Sequence, residues 1–325
     1  MLNPLRDFVQ KHANAEKLLA VRRFAEGLAQ DFWKNGSENP FKRGGVSGVQ
    51  QSAPRSVAPA APAAASSSVR TGPEWHAAPG ELSEKMWGKG FVTPGDEAVT
   101  DMLIAPLNLA KEMSVLDLSA GLGGRMRLIT EKFGVAVTGL EPDPQIAARG
   151  MEMSIMAGKG KHDAIAAYDP ANFSVAHSYD CIIARETFYR VADKPAFFKA
   201  LADAAKAQSQ IAFTDYILNP EDRTKPAVKA WMSYEKDASP FSLMEMAESW
   251  AKVGFNLTAH DDQTEFYRKE IFAGLKRLAQ FLASGVYPDA VTKQALQRRT
   301  ALWTHRMTAI EQGMKFFRFH GLKKP

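Results

Sequence analysis

The densest chemical signal in the sequence is a glycine-rich turn with acidic side chains around it. In Val115-Leu-Asp-Leu-Ser-Ala-Gly-Leu-Gly-Gly124 an apolar run enters a turn with glycines at 121, 123 and 124, and a helical pattern opens behind it at Arg125. Glycine lets a backbone turn tightly and lets a ligand approach it closely. The start of the helix adds unpaired N–H groups and a positive dipole end. A G-x-G-G pattern alone says little, and its position between strand and helix is what gives it meaning. A dinucleotide site would place a third glycine at residue 126, where Met126 stands. Asp117 sits in the strand just before the turn, where a carboxylate repels a pyrophosphate and suits a cation. Glu141 ends the next strand candidate, and an acidic group there can accept both hydroxyls of a ribose. Asp169 follows the third and can accept from an adenine amino group.

An adenosyl group that carries a cation and no phosphate satisfies all three carboxylates. S-adenosylmethionine is that ligand. The elements that must position these residues are legible as an alternation. Strand candidates at Val115–Ser119, Val135–Glu141, Ala164–Tyr168, Tyr179–Arg185 and Gln210–Tyr216 are separated by helical patterns at Arg125–Phe133, Pro144–Met156 and Lys194–Ala207. That rhythm predicts an α/β fold, a parallel sheet with helices on both faces. Further on come a helix near Ser242–Val253, a strand near Asn256–His260, long helical stretches between Phe266 and Gln312, and a closing strand at Met314–His320.

The order of these motifs from Val115 to Tyr216 resembles a class I S-adenosylmethionine-dependent methyltransferase. Gly90-Phe-Val-Thr-Pro-Gly95, Ser119-Ala-Gly-Leu-Gly-Gly124, Ala184-Arg-Glu186, Thr214-Asp-Tyr216 and the tail with Trp303 and Met314-Lys-Phe-Phe resemble the phosphoethanolamine N-methyltransferases more narrowly. The resemblance implies a Rossmann-like seven-stranded sheet and an N-terminal lid over a small amine acceptor. It implies that Phe91, Val92 and Thr93 line the methionine end of the cofactor. Gly121 and Gly123 would hold its backbone side, Glu141 the ribose and Asp169 the adenine, with Asp117, Ser119, Pro142 and Arg185 also in the cofactor-binding set. Arg185 and Glu186 would stand where cofactor meets acceptor, with Tyr216 facing the acceptor.

The chain departs from that family at its catalytic pair, a lid tyrosine and a histidine. The histidine position holds Arg190, and the lid tyrosine falls on or next to Trp75, beside His76. The residues that hold the acceptor phosphate in the family have no clear counterpart in Val228–Ser242, although Tyr234 and Lys236 lie there. Pro170 after Asp169 also removes a backbone N–H often offered to the adenine ring. Fold and cofactor therefore carry over, and the phosphoethanolamine substrate does not.

Methyl transfer from a sulfonium is an in-line displacement in a site that excludes bulk water. An ammonium acceptor must first lose a proton, so a base within hydrogen-bond reach helps. Glu186 and Tyr216 lead the candidates by location, followed by His76. Trp75, Tyr189, Arg190 and Tyr234 are candidate acceptor contacts, and Arg190 suits an anionic group. Each has a plainer reading as a packed or solvated side chain. Cys181 in an apolar strand reads as a small hydrophobe. The seven histidines show no ligand spacing, so no metal is expected. The expected function is methylation of a small molecule or lipid headgroup, most simply on nitrogen. A nucleic-acid methyltransferase and a cofactor-fold binding protein without chemistry are the alternatives. The absence of an N/D-P-P-Y/F motif after the fourth strand counts against the first of these.

Composition bounds the rest. At 45% hydrophobic and 24% charged residues the 325-residue chain is neither wholly disordered nor a disulfide scaffold. It holds no apolar run of membrane-spanning length. One cysteine and no h-region at the start suit a reducing, cytoplasmic location. Residues 44–72 lack acids and aromatics and are rich in Ala, Ser, Pro and Gly, as in a disordered linker. Three parts follow: a helical segment over 1–43, the linker, and a methyltransferase domain over 73–325. That domain carries a lid at 73–95 and acceptor-site insertions at 219–240 and 263–312. The N-terminal helix either docks on its own protein or a second copy, or contacts a membrane surface. The net charge of +5 is concentrated in residues 293–325, with eight Lys/Arg against one acid. That end reads as a solvated basic face, or as a face for an anionic acceptor or membrane.

Overall fold

A computed structural model of the chain describes residues 80–95, 97–235, 237–283 and 290–325. The N-terminal helical pattern, the linker, Trp75 and His76 lie outside the described residues. Seven strands form one sheet in the order β3-β2-β1-β4-β5-β7-β6. They are β1 (Ser114–Asp117), β2 (Ala136–Glu141), β3 (Ile165–Ala167), β4 (Tyr179–Arg185), β5 (Ala205–Ile217), β6 (Phe255–Asp262) and β7 (Lys315–Lys323). The first five pair in parallel, and β7 runs antiparallel between β5 and β6. The Rossmann-like seven-stranded expectation holds.

Period-two alternation explains why the central strands are apolar throughout. Leu116, Ile182, Ala184, Ile211 and Phe213 face one buried layer, while Val115, Cys181, Ile183 and Ala212 face the other. A sheet covered on both faces needs apolar residues at both parities. Helices α1 (Glu81–Trp87), α2 (Glu97–Ile104), α3 (Gly124–Phe133), α4 (Pro144–Met156) and α5 (Lys194–Asp203) precede β5. After it come α6 (Pro226–Tyr234), α7 (Leu243–Lys252), α8 (Thr264–Ala283) and α9 (Ala290–Glu311). A third layer, with Trp87, Tyr189, Tyr216, Trp231, Tyr267, Trp303 and Phe316, gathers between α1, α6, α8, α9 and the β5/β7 end of the sheet.

One boundary differs from the sequence reading. The helix expected to reach Ala207 stops at Asp203, and β5 begins at Ala205. Ala-Lys-Ala-Gln suits a helix by propensity, but tertiary partners override it. Lys323 donates to the carbonyls of Ala202 and Ala205 at 2.7 Å each, and Lys206 reaches Asp180 at 2.7 Å. Between the Tyr179–Ala205 and Cys181–Gln210 pairs the register shifts, and Gln208 there turns to φ 60°. The basic C-terminal end is also not a free face. Arg306 is buried, Arg318 pairs with Asp261 at 2.5 Å, and Lys323 is held as above.

The strand order reverses between β1 and β4. Ligands of open α/β sheets bind at the carboxyl ends of the strands beside such a switch point. There stand the glycine turn after β1 and Arg185-Glu186 after β4.

Candidate active site

The turn after β1 is built by its own side chains. Gly121 and Gly123 adopt φ 55° and 78°. A side chain at Gly121 would begin 2.8 Å from Val92, so the 90–95 segment lies directly over the turn. A hydrogen bond of 2.9 Å from Gly124 N to Gly90 O fixes that approach. Phe91, Val92 and Thr93 are half-buried there. Ser119 Oγ accepts the Arg185 backbone N–H at 2.7 Å, which ties the ends of β1 and β4 together.

The acidic residues of the cofactor set differ in what they still offer. Glu141 accepts from Gly121 N at 2.9 Å and from Asp143 N, one residue beyond Pro142, at 3.1 Å. Burial raises its carboxyl above the ordinary range despite these bonds. A carboxylate has about four acceptor positions, so two remain for a diol. Asp117 is fully buried and grips Arg125 by two bonds, Nε–Oδ2 at 3.0 Å and Nη2–Oδ1 at 2.7 Å. The cation beside Asp117 is thus a side chain of the chain itself. Asp169 is exposed and accepts from Ala171 N and Asn172 Nδ2 as the cap of a short turn, Pro170–Asn172, which holds its carboxyl below the usual range.

Arg185 is the opposite case. Its side chain is buried, and Nη2 donates to the Pro94 carbonyl of the covering segment. Nε and Nη1 have no partner among the described residues. Buried donors are nearly always satisfied, so two orphaned N–H groups in one guanidinium mark a place for an anionic group. The site fits a methionine carboxylate at Arg185, a ribose at Glu141 and a cofactor backbone against Gly121.

One comparison with known proteins shows the family. A family model described as a methyltransferase domain matches residues 97–260. The chain belongs to this methyltransferase family. Its fold and cofactor class are those of the S-adenosylmethionine-dependent enzymes. A phosphoethanolamine N-methyltransferase 1 of Zea mays is 26% identical over 234 residues, covering 67% of this chain and 45% of that protein. The Arabidopsis thaliana protein of the same name is 28% identical over 199 residues, covering 60% and 39%. The chain therefore spans less than half the length of these plant relatives. Among solved structures, a Haemonchus contortus phosphoethanolamine N-methyltransferase 2, with phosphomonomethylethanolamine and S-adenosylhomocysteine bound, superposes with a TM-score of 0.65. It shares 17% identity, over 75% of this chain and 57% of that one. A sarcosine dimethylglycine methyltransferase assigned in Galdieria sulphuraria gives 0.59 at 19% identity, over 70% and 86%.

In this methyltransferase the residues expected on the acceptor side are joined by others that the sequence reading did not single out. Glu186 follows β4 at φ 51°, a backbone state that is costly for any residue but glycine. It is held by its backbone bond to Thr214 O at 2.8 Å and by its carboxylate. That carboxylate accepts from Arg306 Nη1 at 2.8 Å, from Tyr216 Oη at 3.1 Å and from Tyr267 Oη. Arg306 continues to Glu235, Nε–Oε1 at 2.7 Å and Nη2–Oε2 at 3.0 Å, and to Tyr189 Oη at 2.6 Å. Trp231 Nε1 also donates to Glu235 at 2.7 Å.

Of the acceptor-side residues named from sequence, Glu186, Tyr216, Tyr189 and Arg190 meet in this network. Arg190 bonds Glu235 at 2.9 Å and Tyr189 Oη at 2.5 Å, and its side chain is 51% exposed. Tyr234 stands apart, donating to the Arg298 carbonyl at 2.9 Å on the outer surface. Arg306, Glu235 and Tyr267 were missed. The available signal for Arg306 was its place three residues after Trp303 on one helix face, where the guanidinium lies 4.5 Å from the indole. Among the described residues no helix is long and apolar enough to cross a membrane.

Proposed function

We propose that this methyltransferase moves a methyl group from S-adenosylmethionine to the nitrogen of a small amine. The observation that carries the reading is the adjacency of two buried, opposite groups at the end of β4. Arg185 offers unpartnered N–H groups to a carboxylate of the donor, and Glu186 beside it offers a carboxylate to an ammonium. When bound, the cofactor supplies an electrophilic methyl on a sulfonium. Everything else falls to the chain. The 90–95 segment covers the glycine turn and excludes water. Glu186 orients the acceptor nitrogen and takes its proton before attack.

Tyr216 and Tyr267 are positioning residues in this scheme. Burial pushes both phenols well above their ordinary pKa, so each stays protonated and donates to Glu186. Tyr189 is raised by burial as well. That favours Glu186 over the tyrosines as proton acceptor. The narrower reading of a headgroup amine draws support from the curated relatives named as phosphoethanolamine N-methyltransferases.

The test is calorimetric titration of the purified full chain with S-adenosylhomocysteine, followed by incubation of methyl-labelled S-adenosylmethionine with a pool of small amines and mass spectrometry of the products. Saturable binding and a labelled N-methyl product are expected. No saturable binding, or label only on oxygen, carbon or nucleic acid, would overturn the reading.

A further inference from the structure

The acceptor pocket brings its own anion. Arg306 is the strongest anion-binding side chain on the acceptor side, buried at 1% exposure and in cation–π range of Trp303, Tyr216 and Tyr189. A buried guanidinium is the natural fork for a phosphate or carboxylate on a substrate. Here each of its three nitrogens already donates inside the chain. Nε faces Glu235, Nη1 faces Glu186, and Nη2 faces Tyr189 and Glu235. Arg190, the second cation at this end, is bonded to the same Glu235 oxygen that Arg306 and Tyr189 share.

Glu235 closes α6 with its backbone N–H on the Trp231 carbonyl, and the Trp231 indole donates to Oε1. Its two oxygens thus collect five donor contacts from Arg306, Arg190, Tyr189 and Trp231. That is the donor count and fork geometry of a bound anion, filled by a side chain. Burial by itself would raise the Glu235 carboxyl, but Arg306, Arg190 and Tyr189 hold it far below the usual carboxylate range. It stays ionised at any working pH. A phosphate entering beside Arg306 would meet two carboxylates and a guanidinium whose three nitrogens are each already engaged.

We infer that Glu235 is a specificity residue that occupies the place of a substrate anion, so the acceptor is an amine with no phosphate or other anionic substituent. The side chains buried beside this network, Tyr216, Tyr267, Trp303 and Phe316, are aromatic and add no cation for an anionic substituent. The inference rests on the amine-methylating reading and narrows it away from the phosphate-bearing headgroup that the relatives' names suggest. It separates this chain from the Haemonchus contortus structure, whose bound acceptor carries a phosphate.

The experiment has two arms on the full chain. In the first, wild-type protein saturated with S-adenosylhomocysteine is titrated with phosphoethanolamine. No saturable binding at millimolar concentration is expected, and micromolar binding overturns the inference. In the second, Glu235→Ala and Glu235→Ser are melted with and without inorganic phosphate. Removing the carboxylate leaves a cavity lined by Arg306, Arg190, Tyr189 and Trp231 donors. Phosphate is therefore expected to raise the melting temperature of a variant and leave wild type unmoved. Glu235→Ser opens the same space with a polar group if the alanine variant does not fold. A folded variant that ignores phosphate overturns the inference, as does an equal response in wild type. Loss of S-adenosylhomocysteine binding in wild type would instead defeat the methyltransferase reading, so the two failures are distinct.

Discussion

The two sides of the site treat buried arginine in opposite ways. On the cofactor side, Arg185 is buried with two donors unpartnered among the described residues, one bond to the Pro94 carbonyl and a 3.7 Å approach to Glu186. On the proposed acceptor side, Arg306 is equally buried and all three of its nitrogens have partners. The first arrangement stores an unmet need that a ligand can fill. The second is complete and acts as framework. Burial of a charge therefore does not by itself mark a binding group, and the state of its hydrogen bonds does.

Removing each arginine should separate these roles. Arg306→Ala leaves Glu186 and Glu235 facing each other without their shared cation. Breaking one partner of a buried ionic network costs about 3–5 kcal/mol. Urea unfolding should show a loss of that size, and Glu186 should relax from its positive-φ position. A loss below about 1 kcal/mol would mean that the network is not framework.

A second framework element should reveal itself by pH. Asp215 is fully buried, and burial raises its carboxyl to about 7 although the N–H groups of Phe188, Tyr189 and Tyr216 bond to it. Those bonds hold the turn at Phe188–Arg190 that follows Glu186. Lys194 and Glu186 are the ionisable groups that act on Asp215 or feel it. Its folded pKa lies above the unfolded value near 3.9, so between those values the folded protein holds a proton that the unfolded chain has released. The associated stability is complete below about pH 4 and is lost as pH rises through about 7, by at most about 4 kcal/mol. Asp215→Asn should flatten the dependence between about pH 4 and 7. An unchanged slope would place the titration elsewhere.

Arg185→Met is the counterpart on the open side. A hydrogen bond to a charged group contributes about 1.5–3 kcal/mol, so S-adenosylhomocysteine should bind roughly 10- to 100-fold more weakly. Stability should hold or rise slightly, because the two unmet donors are gone and methionine fits an apolar gap. Weaker stability with unchanged affinity would reverse the roles assigned to the two arginines.

The open side was legible in sequence and the closed side was not, for a physical reason. The glycine turn, Glu141 and Arg185 all lie within a few residues of strand ends, and the alternation of strands and helices fixes where strand ends go. Val92 over Gly121 was reachable through a family motif. Arg306 and Tyr267 sit on two different helices and Glu235 at the end of a third, and the bonds among Arg306, Glu235, Glu186 and Tyr267 span 71 to 120 residues. No local pattern announces a contact of that kind. Charge counting even misdirected it, since Arg306 and Arg318 contribute to a basic C-terminal end that looks solvated in sequence and is paired in the fold. Asp117 shows the same limit in reverse. Its type and position pointed to a cationic ligand, and the fold supplies Arg125 eight residues further along.

The smallest expected effect tests where the acceptor framework ends. Tyr234 was a candidate acceptor contact because it lies in Val228–Ser242, where the resemblance would put the residues that hold the acceptor, yet it ends α6 and Glu235 follows it as the cap with a different direction. Glu235 turns inward to Arg306, while Tyr234 is 39% exposed, tilts against His305 at 4.8 Å and donates only to a backbone carbonyl of α9. Tyr234→Phe keeps the ring contact and removes one surface hydrogen bond. Its effect on stability should stay within about 0.5 kcal/mol, the range of surface substitutions outside special features. Cofactor affinity and methyl transfer should not change. A fall in transfer rate at constant stability would extend the acceptor site outward past Glu235 and reopen that face to substrate. An unchanged rate would fix Glu235 as the outer limit of the acceptor framework, with α6 contributing Trp231 and its cap residue to it.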